Sequence, residues 1–532
     1  MARFRFMAVA ASFAVMLFST GCDLVEFFLD SEELNEIPSD HADSRFDTEP
    51  VKKLAGEMQN TWRESGQEET IKEQITTLID AVDQASAVYL RAEMAYYADW
   101  NNKDLETLHN QTQEDYYVVY EAAAWAISNG YRRSQYPELF QPYIYSEKWT
   151  DYYVANTLSK VTSKARSQSA DSDRRLDEYY TTAYSEDADP VESNAVCAQL
   201  YLDTLAEYNT DKFLYDYYRR DYSVEDTTRV YHEIVEKLVP LQQKLTAELQ
   251  QAADELVQTE RRYTIDEPFE VIKQFATQIS PRVTESVERL LDKKLYVISE
   301  GENSYDTSYT VMLPYERNAL IYTHRNGGYF DFVSAVHEFG HFHADWRDGT
   351  PIFLQTNCLD IAEIHSQAFE MLFTAFYHDI FGQDAAFLEK MEIYNLLDSI
   401  IAGFAVGEFE YEVMKQLDSI TAEQVLEIYS RIQAECNLNM EMYQINHLYE
   451  QPGYYVSYGV SALAALQIYT QMQTDGFDSA AALYEKIAQI SAVSGEYEFG
   501  SALSKAGFKN IFSADYVDQT AKTLQDHIQQ LG

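Results

Sequence analysis

The sequence predicts a mainly α-helical protein with one small β element near residues 295–329. Three observations predict it. Helix breakers are scarce, with 19 glycines and 11 prolines in 532 residues. Apolar residues recur at helical spacing over most of the chain. Only between Leu295 and Tyr329 do short β-prone runs replace that spacing. A composition of 46% hydrophobic and 24% charged residues is that of a globular chain, and its length allows a large core and more than one lobe. The 42 tyrosines are expected chiefly as core packing.

Arg3 and Arg5 precede an apolar stretch over residues 6–18, followed by Ser19, Thr20, Gly21 and Cys22. This order of charge, apolar run and small residues is a secretory signal, assigned to residues 1–21. A cysteine directly after the small residues resembles a bacterial lipoprotein box, although Ser19 stands where such boxes usually carry leucine. The resemblance makes Cys22 the acylated first residue and implies an exported bacterial lipoprotein, extracytoplasmic and held to the membrane by its N-terminal lipid. No later apolar run approaches the roughly 20 residues of a membrane helix.

Residues 22–50 are acidic and aperiodic, and read as a tether. Residues 51–265 read as an N-terminal helical lobe. Within it Ile71, Ile75, Leu78, Ile79 and Val82 form a helical stripe, and a second stripe runs over residues 231–256, with Pro240 as an expected kink. The polar stretch 165–194 reads as a surface connection. Residues 266–532 read as the lobe that carries the chemistry. Residues 309–313 and 319–323 are its β-prone runs, and helical patterns return from Tyr329 to the end.

A net charge of −47 argues against nucleic acid as a partner, because phosphate binding needs cationic clusters. Besides Cys22 there are only Cys197, Cys358 and Cys436, so this is no disulfide scaffold.

Val336-His337-Glu338-Phe339-Gly340-His341 matches H-E-x-x-H. Residues four apart share one helix face, so both imidazoles can reach one ion, and Glu338 lies close enough to take a proton from water there. A catalytic zinc needs a third protein ligand and an open position. Glu363 lies on a second helical pattern that could pack beside the first; His343, Asp345 and His365 are rivals on spacing, and His343, two residues past His341, faces elsewhere on the helix.

The segment HEFGH followed by Glu363-Ile364-His365-Ser366-Gln367-Ala368-Phe369-Glu370, which has the form E-x-x-S-Q-x-x-E, resembles the M3 family of zinc peptidases, the thimet oligopeptidase and oligoendopeptidase F group. The resemblance makes Glu363 the third ligand of one Zn²⁺ per chain. His447 and the later cluster Tyr454-Tyr455-Val456-Ser457-Tyr458 resemble the family's histidine and tyrosines that bond substrate and oxyanion; Tyr455 and Tyr458 are the tyrosines chosen. Asp360 and Glu370 are candidates to orient a ligand imidazole. The resemblance further implies two helical lobes around a deep substrate channel, with the small sheet beside the zinc helix, and a substrate backbone paired to an edge strand at Ile321, Tyr322 and Thr323.

The expected activity is endopeptidase hydrolysis of short unfolded oligopeptides by a metal-activated water with Glu338 as base, in a monomer. The alternatives are a zinc exopeptidase of carboxypeptidase type, which needs a free substrate terminus, and a non-catalytic peptide-binding lipoprotein. The last has no use for a base beside a metal.

Overall fold

The computed structural model describes residues 45–165, 178–179, 181–183, 189–206, 218–252, 267–325, 329–356 and 358–531. The signal segment, Cys22 and most of the tether lie outside the described residues; the first helix starts at Glu49, inside the stretch read as tether.

Five helices build a smaller core: α1 (Glu49–Thr61), α2 (Glu68–Ala98), α3 (Lys103–Arg133), α4 (Glu147–Ala155) and α5 (Leu158–Ala165). The stripe Ile71, Ile75, Leu78, Ile79 and Val82 is buried against its neighbours, as its spacing requires. Local signals set the ends. Asn102 Oδ1 accepts from Asp104 N and Leu105 N to start α3, and Ser146 Oγ accepts from Trp149 N to start α4.

The larger core is built from α6 (Pro190–Leu205), α7 (Val224–Ala252), α8 (Glu267–Ile279), α9 (Pro281–Lys293), the sheet, α10 (Tyr329–Asp345), α11 (Leu359–Phe373), α12 (Ala385–Met414), α13 (Ala422–Cys436), α14 (Val456–Asp475), α15 (Phe477–Ile487), α16 (Phe499–Ala506) and α17 (Tyr516–Gln530). Helices α6 and α7 bury Tyr201, Tyr231, Leu238 and Leu245 in the larger core, chiefly against α12 and α13. Helical spacing reveals which face is buried but not what it is buried against. Pro240 lies inside α7 without ending it, and α6 occupies the C-terminal end of the stretch expected as a connection.

Three strands, β1 (Tyr296–Glu300), β2 (Tyr309–Leu313) and β3 (Asn318–Arg325), form one sheet in the order β1-β3-β2. β3 runs parallel to β1, with Tyr296 opposite Ile321, and antiparallel to β2, with Tyr309 opposite Tyr322. β1 was not anticipated, because its apolar run follows directly on the apolar face of α9, which ends at Lys294 with φ 49°.

The strand order corrects one expectation. Ile321, Tyr322 and Thr323 lie on the central strand, where both rows of backbone groups are already paired, so they offer no edge to a peptide. β2 is an outer strand. Tyr309 and Tyr322 stack at 5.1 Å, and the Tyr322 hydroxyl donates to Tyr97 O of α2. Thr310, on the opposite face of β2, meets α10.

Polar contacts join the smaller core to the sheet and its surroundings. Arg91 grips Glu316 with two hydrogen bonds of 2.8 and 2.6 Å, Tyr305 N donates to Tyr97 O, and Ile352 N donates to Asp83 Oδ1. No helix among the described residues is long and apolar enough to cross a membrane.

Candidate metal centre

Helices α10 and α11 must approach closely for Glu363 to reach the two histidines, and Gly340 lets them. A Cβ at that position would lie 2.6 Å from Ser366 Cα and 2.7 Å from His365 O, closer than real Cβ atoms come. With glycine there, Glu363 Oε2 stands 3.8 Å from His337 Nε2 and 3.8 Å from His341 Nε2. Among the described residues, His337, His341 and Glu363 are the one trio of potential ligands whose atoms fall within 4.8 Å of one another.

The other faces of His337 and Glu363 are held by the protein. Glu370 Oε1 bonds His337 Nδ1, which leaves Nε2 free to point at the centre. Tyr454 Oη donates to Glu363 Oε1 at 3.1 Å, leaving Oε2 toward the imidazoles. Glu338 is buried beside them, and Thr310 Oγ1 of β2 donates to its Oε2 at 2.7 Å and to its backbone carbonyl at 3.1 Å. Two nitrogen donors and one carboxylate oxygen suit zinc, with room in a tetrahedral set for a further ligand. The donor set therefore fits the ion that the motif implies.

Electrostatics agree with that fit. Burial pulls the His337 imidazole down, but the charge and hydrogen bond of Glu370, together with Glu338 and Glu363, outweigh it and carry the pKa up to about 10. The same negative surroundings favour a divalent cation in place of that proton. Burial raises the Glu338 carboxyl to about 7, against the opposing His337 charge and Thr310 bond. His341 is pushed well below its ordinary value by burial and by His337.

The rival ligands look elsewhere. His343 Nδ1 meets Ser286 Oγ of α9 at 2.8 Å. His365 Nε2 lies 3.2 Å from Ile487 O; a carbonyl only accepts, so that nitrogen carries the proton. Asp345, one turn beyond His341, stands outside the trio.

The C-terminal histidine and tyrosines gather on the Glu363 side of the centre. His447, in the single helical turn His447–Glu450, stacks on Tyr454 with ring centroids 4.9 Å apart, and Tyr458 Oη lies 3.5 Å from His447 Nε2. Burial takes His447 down to about 3, so its ring is neutral, and its Nδ1 has no hydrogen-bond partner. The Tyr455 ring also packs on His447, with centroids 5.6 Å apart, but its hydroxyl lies 3.7 Å from Met440 Sδ. The tyrosine that touches a candidate ligand is Tyr454, a neighbour of the two chosen for substrate and oxyanion, Tyr455 and Tyr458.

Asp360 also sits elsewhere than expected. It orients no imidazole; it is fully buried among Ser457 Oγ, Tyr222 Oη at 2.8 Å and Arg220 Nε at 3.3 Å. Arg220 and Tyr222 escaped sequence reasoning because about 140 residues separate them from Asp360.

No protein-family model matches the chain, and no curated protein matches its sequence. Solved structures match it closely in fold. A Bacillus anthracis str. Ames protein assigned as an oligoendopeptidase F superposes with a TM-score of 0.69 at 14% identity, covering 92% of this chain and 98% of its own. PZ peptidase A with an inhibitor gives 0.64 at 15% identity, over 93% and 99%. A protein from Chlamydophila abortus assigned as a peptidase gives 0.61 at 14%, over 94% and 99%. At these identities the likeness establishes the fold: this chain has the mainly helical architecture of the oligoendopeptidase structures along nearly its whole described length.

Proposed function

We propose that the protein is a zinc-dependent endopeptidase acting on short unfolded peptides. The observation that carries this reading is the trio His337, His341 and Glu363 with Glu338 beside it, on the fold that the peptidase structures share.

His337, His341 and Glu363 would hold a zinc ion, which would supply Lewis acidity for a scissile carbonyl and acidify water toward a pKa of about 7. Glu338, anchored by Thr310, takes the proton of the attacking water and passes it to the departing amine. His447 and Tyr458 supply donors for the developing oxyanion, each worth on the order of 3 kcal/mol. Tyr454 and Glu370 fix the orientation of Glu363 and His337. The peptide backbone pairs with the outer edge of β2, whose Thr310 already touches the general base.

Membrane attachment through acylated Cys22 and export belong to the same reading, supported by the N-terminal charge, apolar and Gly-Cys pattern. Labelling by a radiolabelled fatty acid that is lost in Cys22→Ala tests the anchor.

For the catalytic reading, Glu338→Gln retains zinc and lowers kcat by about 10³-fold. Full activity in the zinc-loaded variant removes Glu338 as the base. Peptides blocked at both termini distinguish endopeptidase from exopeptidase action: the endopeptidase cleaves them internally, whereas an exopeptidase leaves them intact.

A further inference from the structure

Residues 218–222 touch both halves of the candidate centre without reaching the metal trio. Arg220 is buried, with its side chain fully enclosed. Its Nη2 donates to Gly453 O at 2.8 Å and to Ser457 Oγ at 2.8 Å, and its Nε faces Asp360 at 3.3 Å. Its guanidinium lies over the Tyr218 ring at 4.5 Å, and Tyr218 Oη donates to Pro452 O at 3.0 Å. Tyr222 Oη donates to Asp360 Oδ2. On the outer side, Asp221 accepts from Gly500 N and Ser501 N at the start of α16, which fixes the segment in place.

These partners fall into two groups. Gly453 and Ser457 bracket Tyr454 and Tyr455 on the turn leading into α14, where Gly453 has φ +81° and its N–H donates to Glu410 Oε1 at 2.7 Å. Asp360 precedes the ligand Glu363 by three residues on α11. One guanidinium therefore spans the turn that carries Tyr454 and the helix that carries Glu363, and Tyr454 and Glu363 are themselves hydrogen-bonded. A buried ion pair adds little net stability compared with a well-packed apolar replacement, whereas the planar fork of arginine fixes several acceptors in one geometry.

We propose that Arg220 is a positioning residue for the centre. It holds the 453–457 turn against α11 so that the Tyr454 hydroxyl stays on Glu363 and Tyr458 and His447 stay beside it. This rests on the peptidase reading for its effect on turnover but not for its effect on the geometry of the turn.

The test compares parent, Arg220→Lys and the double variant Arg220→Gln/Asp360→Asn as full-length proteins. The double variant removes both charges together and so avoids an orphaned buried carboxylate that could prevent folding. Zinc content, kcat and KM on a quenched fluorogenic peptide, and hydrogen exchange across residues 453–458 are measured.

We expect both variants to remain helical and zinc-loaded. The kcat falls roughly tenfold or more in the double variant, with KM within about twofold, and less in Arg220→Lys, which keeps the charge but not the fork. Amide exchange over 453–458 rises about tenfold while that of α10 is unchanged. A folded, zinc-loaded double variant with parental kcat and parental exchange overturns the proposal and leaves the peptidase reading standing. If the parent cleaves no peptide, the peptidase reading fails. Exchange over 453–458 then decides on the turn alone, faster exchange supporting the clamp and unchanged exchange overturning it.

Discussion

Two ligands of the trio, His337 and Glu363, have one face committed to the protein and the other turned to the centre. For His337 the committed face is Nδ1 on Glu370. Replacing Glu370 by Gln removes the charge while keeping an acceptor, and zinc affinity, measured by chelator competition, should fall by roughly 10–100-fold. An unchanged affinity would show that Glu370 serves packing alone. At this scale the sequence disclosed much of the centre. H-E-x-x-H on a helix dictates which side chains meet, since i and i+4 share a face. The resemblance in E-x-x-S-Q-x-x-E singled out Glu363 from His365, and the structure brings Glu363 to the imidazoles and turns His365 toward Ile487 O. Tyr454 and Tyr455 could not be told apart, because both rings pack on His447 and only their hydroxyls diverge, one to Glu363 and the other to Met440.

Elements bring these residues together, and the decisive contact is the crossing of α10 and α11 at Gly340. Gly340→Ala adds one methyl group where backbone already stands 2.6 Å away. The helices must separate, at a cost of about 1–3 kcal/mol, and Glu363 moves with α11. Zinc affinity should therefore fall along with thermal stability; a loss of stability with parental zinc affinity would mean that the crossing does not set the ligand distance. Helical stripes announced the buried faces of α2 and α7 because burial imposes periodicity on sequence. Strand order left no such mark. β3 reads as a run of β-prone residues whether central or at an edge, and only its pairing with both β1 and β2 excludes it as a peptide-binding edge.

The whole molecule joins a small helical core to a large one that carries the centre, and Asp83 sits at the joint. Burial, reinforced by Asp80, raises its carboxyl to about 7 despite the Ile352 N–H that donates to it. Because the folded pKa exceeds the unfolded value of about 3.9, the folded state holds the extra proton between those values. The stability linked to it is complete below about pH 4 and is lost as pH rises through about 7. Asp83→Asn removes this titration and keeps an acceptor for Ile352. It should raise the Tm by a few degrees at about pH 8 and change it little at about pH 4. An equal shift at both pH values would mean that Asp83 does not titrate in that window. The mainly helical class was legible from scarce breakers and periodicity. The assignment of α6 and α7 to the larger core was not, since their partners α12 and α13 lie far along the chain.

The most direct test of the account is metal analysis of the protein paired with hydrolysis of a doubly blocked, quenched peptide before chelation, after chelation and after zinc is restored. The account predicts one zinc per chain, internal cleavage that chelation abolishes and zinc restores, and no cleavage of folded proteins. Cleavage that persists in the zinc-free protein, or a protein that binds no zinc at His337, His341 and Glu363, would contradict it.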